Sequence, residues 1–107
     1  MERSTFIAEV WIGDCEGRNL APTLMIELNK DEYKVDYKAR GYSQVNLTEN
    51  GRNRFRGQYD SWDVDYYNYE IHAFIDDSDA KCKYEKLLKY QAELTKKINL
   101  LSKWLGI

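Results

Sequence analysis

Three arginines alternate in the middle of the chain, and their side chains are the ones best suited to binding a charged ligand. Arg52, Arg54 and Arg56 lie in the sequence RNRFR. On an extended backbone all three guanidinium groups would point to the same side. Guanidinium groups bind phosphates and carboxylates through paired hydrogen bonds, and Phe55 could stack on a base. The pattern indicates a site for a phosphate-bearing small ligand or nucleotide. In the competing interpretation, the arginines pair with nearby acids, namely Asp60, Asp63 and Asp65.

A second candidate is an acidic, aromatic stretch that follows the arginines. Tyr and Trp are common anchors of protein recognition, and carboxylates complement a surface rich in Lys or Arg. We therefore expect an unidentified, basic-surfaced protein as the partner. Alternatively, half of these aromatic side chains belong to the core and the acids balance the basic helix of the same chain. The residues predicted to contact the partner, called here the acidic face, are Tyr59, Trp62, Asp63, Asp65 and Tyr67.

The charge of the chain is strongly segregated although its net value is only −2. Residues 59–79 contain seven acids and no Lys or Arg, whereas residues 80–107 contain seven Lys and two Glu. The two segments thus carry −7 and +5. A chain without net positive charge is a poor match for a nucleic-acid groove, so direct nucleic-acid binding is not expected.

No pattern of residues indicates catalysis, a metal or a cofactor. His72 is the only histidine, and on a strand it is more typical of a structural residue than of a general base. Cys15 and Cys82 lie far apart and outside any CxxC pair, which favours two ordinary thiols. We therefore expect a protein that is not an enzyme and that uses no cofactor.

The periodicity of the first 77 residues predicts an antiparallel β-meander of four to six strands. Apolar residues alternate over 5–12, 23–29 and 32–38, with a polar turn at 29–31. The 42–58 stretch is predicted to be a twisted hairpin or a partly irregular loop. In the hairpin, Asn50-Gly51 forms the turn and Leu47 faces Phe55. A strand is predicted over 62–75, with a one-residue change of phase that is typical of a β-bulge.

The last segment, 78–105, contains no Gly or Pro and is predicted to be one long amphipathic helix. The fold class is therefore α+β in a single domain, 1–107, with a sheet body over 1–77 and the helix after it. Apolar residues recur along the helix at alternating steps of three and four, the spacing of a coiled coil. This apolar stripe consists of Tyr84, Leu87, Gln91, Leu94, Ile98, Leu101 and Leu105.

The helix is too long for one small sheet to cover its stripe, so a second copy of the chain is the expected partner. The residues from Leu87 to Leu105 within the stripe are the predicted oligomerisation contacts, and a dimer is the expected assembly. A polar residue at one seam position, here Gln91, is a known means of fixing register and partner number. The other interpretation is that the stripe packs on the domain's own sheet.

Three functions are consistent with these patterns. The first is a non-catalytic cytosolic binding protein that blocks a surface of a macromolecular partner through its acidic face. Small, acidic, tyrosine-rich chains without motifs are typical of the inhibitors that phages and mobile elements direct against host defence. The second is an oligomeric binder of a phosphate-bearing ligand through Arg52, Arg54 and Arg56, and the third is a purely structural assembly protein. With no signal segment and no membrane span apparent in the sequence, a cytoplasmic location is expected.

Overall fold

A computed structural model describes residues 4–13, 19–58, 64 and 68–107 of the chain. It contains a five-stranded antiparallel sheet followed by one long helix, which confirms the predicted α+β class. The strands are β1 (Thr5–Ile12), β2 (Ala21–Asn29), β3 (Tyr33–Ala39), β4 (Tyr42–Leu47) and β5 (Tyr69–Phe74). A 3-10 turn, Lys30–Glu32, joins β2 to β3, and the helices are α1 (Glu49–Phe55) and α2 (Asp77–Leu105).

The order of the strands across the sheet is β2-β1-β5-β4-β3. The last strand is thus inserted at the centre, between β1 and β4. Ala8 of β1 pairs with Ala73 of β5, and Ala73 pairs in turn with Ser43 of β4. This insertion brings the outward-facing side chains of β1, β4 and β5 next to one another.

The hydrophobic core lies on one face of the sheet. Because side chains alternate along a strand, every second residue of the central strands points into it. Phe55 of α1 and Val64 contact the same cluster and are almost completely buried. The buried members contributed by the strands are Ala8, Val10, Ile26, Leu28, Val45, Leu47, Ile71 and Ala73.

The prediction of a hairpin over 42–58 is wrong, because β4 is followed by the helix α1. Thr48 is its N-cap, and the Thr48 hydroxyl accepts a hydrogen bond from the Gly51 amide at 3.3 Å. Gly51 does not form a turn. It lies against the backbone carbonyl of Glu32, where a Cβ atom would collide. Leu47 and Phe55 do meet in the core, but not as a cross-strand pair.

The strand predicted over 62–75 is present as β5, which begins at Tyr69. Val64 lies in a turn, and the predicted phase change falls outside the described residues.

The long helix agrees closely with its prediction and has defined ends. Its 29 residues span about 43 Å at 1.5 Å per residue. The N-cap is Asp76, whose backbone carbonyl accepts from the amides of Asp79 and Ala80. At the other end Gly106 adopts a left-handed conformation with φ of 76°. Its amide bonds to the carbonyl of Lys103 and the Ile107 amide to that of Ser102, which is a Schellman motif.

Candidate functional site

The apolar stripe of α2 is left exposed by the rest of the chain. No residue of α2 is buried. The apolar side chains of the stripe are between 39% and 62% exposed, with Leu94 the least and Tyr84 and Leu101 the most exposed. The sheet does not cover this stripe, so the chain presents an apolar surface along most of its longest element.

Only the first turns of α2 lie against the sheet. Lys83 is partly buried there and forms an ion pair with Glu9 of β1, at 2.9 Å between Nζ and Oε1. The successive steps from Ala80 to Lys83, Leu87 and Leu94 are three, four and seven residues, so all four lie on nearly the same side of the helix. The side that meets the sheet at the start of α2 therefore continues beyond the sheet as the exposed stripe.

A cleft of about 380 Å³ lies between the outer face of the sheet and the beginning of α2. This face is opposite the core, because its residues alternate with the core residues along β1 and β5. Trp11, Tyr42 and His72 line the cleft from the sheet, and Lys83 and Lys86 line it from α2. Small-molecule sites commonly have volumes of about 300–1,000 Å³, so this cleft is at the small end of that range.

Three rings are stacked side by side in the cleft. The His72 ring lies parallel to the Tyr42 ring, with centroids 4.0 Å apart and 13° between the planes. The centroid of the Trp11 ring lies 5.0 Å from that of His72, with 31° between the planes. The His72 residue is 7% exposed, so most of its ring is covered by the surrounding chain.

Among the described residues that line the cleft, two carry a carboxylate, and both carboxylates have partners. Glu9 accepts a hydrogen bond from the Trp11 indole at 2.9 Å in addition to its ion pair with Lys83. A carboxylate oxygen of Glu70 lies 3.2 Å from Nε2 of His72. These contacts fix the orientation of the aromatic stack.

Two cations of the cleft have no partner within the part of the chain that the structure describes. Arg40 lies in the turn between β3 and β4, next to Gly41 with φ of 86°, and Lys86 lies on α2. Neither forms an ion pair or a hydrogen bond among the described side chains. Among the described residues that line the cleft, Glu9 is thus paired with Lys83 and Glu70 contacts His72, while two cations from different elements form no ion pair.

The predicted arrangement of the three arginines is wrong. Arg52 and Arg54 lie in α1 and Arg56 is its C-cap, so no extended backbone points them to one face. Arg54 forms an ion pair with the buried carboxylate of Glu32 and donates to the backbone carbonyl of Glu27. Arg54 thus fastens α1 to the β2–β3 connection, which is a structural role.

The acidic face lies outside the described residues, as does Cys15. The predicted contacts of Tyr59, Trp62, Asp63, Asp65 and Tyr67 therefore stay predictions. Cys82 is a free, exposed thiol at the edge of the cleft.

The cleft was not predicted from the sequence, although the alternation of β1 and β5 does indicate which of their residues face away from the core. Glu9 and Trp11 point away from the core in the alternation of β1, and Glu70 and His72 do so in that of β5. What the alternation does not reveal is that β1 and β5 are neighbours, with Glu9 opposite His72 and Trp11 opposite Glu70. Without that pairing, four scattered residues do not form a site.

No protein-family model, no curated protein and no solved structure matches this chain. Among the described residues, no group of three or more His, Cys, Asp or Glu side chains could hold a metal ion. Within the same residues, no helix is both long enough and apolar enough to cross a membrane.

Proposed function

We propose that this protein is a non-catalytic binding protein that self-associates through the apolar stripe of α2. The observation that carries the proposal is the position of the stripe, which continues beyond the sheet and is exposed along its whole length. Water-exposed apolar rows of this extent are characteristic of interaction surfaces. Self-association would place the sheet bodies at defined positions around a shared helical stem.

A second copy of the chain is the occupant that best fits the stripe. The three-four spacing lets one such helix pack its side chains between those of another. Gln91, near the middle of the stripe, carries both a donor and an acceptor in its amide. When Gln91 faces its own copy across a two-fold axis, each amide can satisfy the other, whereas a wholly apolar partner would leave both groups unpaired.

The expected association is reversible. Moving a half-exposed Leu or Ile into an interface contributes roughly 1 kcal/mol, half of the value for complete burial. The stripe offers five such side chains in each copy, Leu87, Leu94, Ile98, Leu101 and Leu105. Two copies then contribute on the order of 10 kcal/mol, which is similar to the cost of about 4–15 kcal/mol for bringing two molecules together. We therefore expect the assembly to depend on protein concentration.

Disulfide trapping tests the predicted packing directly. In a Cys15→Ser/Cys82→Ser background, Gln91→Cys places a thiol where Gln91 meets its copy, within the Cα separation of about 4.4–6.8 Å that a disulfide requires. We expect Gln91→Cys to form a covalent dimer under mild oxidation. Lys89→Cys, on the opposite side of α2, is the matched control and should stay monomeric. Equal cross-linking of the two variants, or none in Gln91→Cys, would contradict the proposal.

The second part of the proposal is that the protein blocks a surface of a basic macromolecular partner, as an inhibitor of the phage or mobile-element type would. Support comes from the charge of −7 over residues 59–79 and from the Tyr and Trp side chains within that segment. Aromatic anchors surrounded by carboxylates suit a surface rich in Lys and Arg.

Charge reversal distinguishes a specific acidic face from general acidity. We expect Asp63→Lys/Asp65→Lys to abolish capture of the partner without unfolding the protein. Asp36→Lys/Glu49→Lys reverses the same number of charges at exposed positions elsewhere and should leave capture intact. If both double variants capture the same proteins as the wild type, the acidic face is not the binding surface.

A further inference from the structure

We propose that the cleft between the sheet and the start of α2 binds a small aromatic anion, of which a mononucleotide is the representative class. This inference does not require self-association, because the rings and cations that it uses belong to a single chain. It concerns a different place from the ligand site predicted at Arg52, Arg54 and Arg56, which are not among the described residues that line the cleft.

The charges of the cleft favour an anion. The described residues contribute two carboxylates to the cleft, and both have partners: Glu9 contacts Lys83 and Trp11, and Glu70 contacts His72. Arg40 and Lys86 have no such partner within the described chain, and they line the cleft from two separate elements. A phosphate or carboxylate in the cleft can therefore receive hydrogen bonds from both cations, and an Arg guanidinium suits the paired oxygens of a phosphate.

The rings of the cleft favour a planar aromatic group attached to that anion. Hydrogen bonds to Glu9 and Glu70 hold Trp11 and His72, and the Tyr42 ring stacks on His72, so contacts within the chain position all three rings. Base-aromatic contacts contribute about 1–3 kcal/mol per base in other proteins. The volume of about 380 Å³ is sufficient for one base with its sugar phosphate.

Isothermal titration calorimetry with AMP, GMP, CMP and UMP tests the proposal. Each mononucleotide is compared with its nucleoside and with inorganic phosphate. We expect at least one mononucleotide to bind more tightly than both of its parts, because it alone uses the rings and the cations together. The absence of binding by all four, or equally tight binding of phosphate alone, would overturn the proposal.

Two double variants locate the site. Arg40→Ala/Lys86→Ala removes the unpaired cations and should weaken binding of the mononucleotide about tenfold or more. Arg52→Ala/Lys97→Ala removes one exposed Arg and one exposed Lys outside the cleft and should leave the affinity unchanged. Since none of these four side chains is buried, circular dichroism should show both variants folded. If both variants lose the same affinity for the mononucleotide, binding depends on the overall charge of the protein. That result would contradict a site in the cleft.

Discussion

The ammonium of Lys83 lies 2.9 Å from a carboxylate oxygen of Glu9, and this ion pair ties the start of α2 to the outer face of the sheet. The side chains are only 22% and 10% exposed, respectively. Such a pair is less screened by water than a surface pair. The ion pair between Lys83 and Glu9 positions the start of α2 on the sheet. The apolar stripe is exposed beyond this point of attachment.

Loss of this ion pair should weaken the attachment of α2. Lys83→Met leaves the Glu9 carboxylate with the Trp11 indole as its remaining donor, and we expect the free energy of unfolding to fall by about 1–3 kcal/mol. Lys89→Met removes an exposed lysine from the same helix. We expect it to change the free energy of unfolding by less than about 0.5 kcal/mol. Urea denaturation of the two variants measures the difference, and equal stabilities would show that the pair contributes nothing.

The ion pair between Arg54 and Glu32 should be essential to the packing of α1. The Glu32 residue is 3% exposed and also accepts a hydrogen bond from the Asn29 amide at 2.8 Å. Arg54→Ala would leave this buried carboxylate without its cation, at a cost of about 1–3 kcal/mol after allowance for the partial exposure of Arg54. Arg52→Ala, in the same helix and without an ion pair among the described residues, should be nearly neutral by chemical denaturation. A larger loss in Arg52→Ala than in Arg54→Ala would contradict this assignment.

Gly51 should tolerate no side chain. A Cβ at this position would collide with the carbonyl oxygen of Glu32 and press on Leu47 at 3.1 Å. We therefore expect Gly51→Ala to lower the free energy of unfolding by about 1–3 kcal/mol, although alanine is the better helix former. Asn53→Ala, at an exposed position of the same helix, should be neutral or slightly stabilising. A stabilised Gly51→Ala in thermal unfolding would mean that α1 does not lie against the 3-10 turn.

The contact between Lys38 and Asp76 predicts a loss of stability in alkali. The hydrogen bond and charge of Asp76 raise the pKa of Lys38 above its ordinary value of 10.5. A pKa raised by folding contributes stability that is complete below pH 10.5 and is lost as the pH rises through the folded-state pKa. Burial raises the pKa of Tyr33 as well, so some alkaline destabilisation is expected in any variant.

A comparison of two lysine variants isolates this contribution. Unfolding midpoints from about pH 9 to about pH 12 should fall more steeply for the wild type than for Lys38→Met, which no longer loses the contact. Lys34→Met, on the same strand and without an ion pair in the described part of the chain, should follow the wild type. Identical slopes for all three proteins would show that the contact does not survive in solution.

The sequence predicted those elements whose residue pattern lies within a single segment of the chain. β1 and α2 were predicted almost residue for residue, because alternation and three-four spacing are properties of the segment itself. α1 was missed because Asn50-Gly51 resembles a hairpin turn. The actual reason for Gly51 is its contact with Glu32, nineteen positions earlier in the chain. Thr48, a favoured N-cap residue, was the local signal that could have corrected this prediction.

The cleft depended on information of a different kind. Glu9, Trp11, Glu70 and His72 become a site only because β5 inserts beside β1. That insertion follows from the packing of the whole sheet, and no pattern in the sequence of either strand indicates it. The exposed stripe, in contrast, was evident from its spacing, and the structure adds that the sheet leaves it uncovered.

Light scattering behind a sizing column, at several protein concentrations, tests the central claim most directly. The wild type should be a dimer or larger assembly that dissociates on dilution. Leu94→Lys, which places a charge within the stripe, should be a monomer at every concentration. Leu100→Lys makes the same substitution at an exposed leucine on the other side of α2 and should assemble like the wild type. A monomeric wild type, or dissociation by both substitutions alike, would contradict self-association through the stripe.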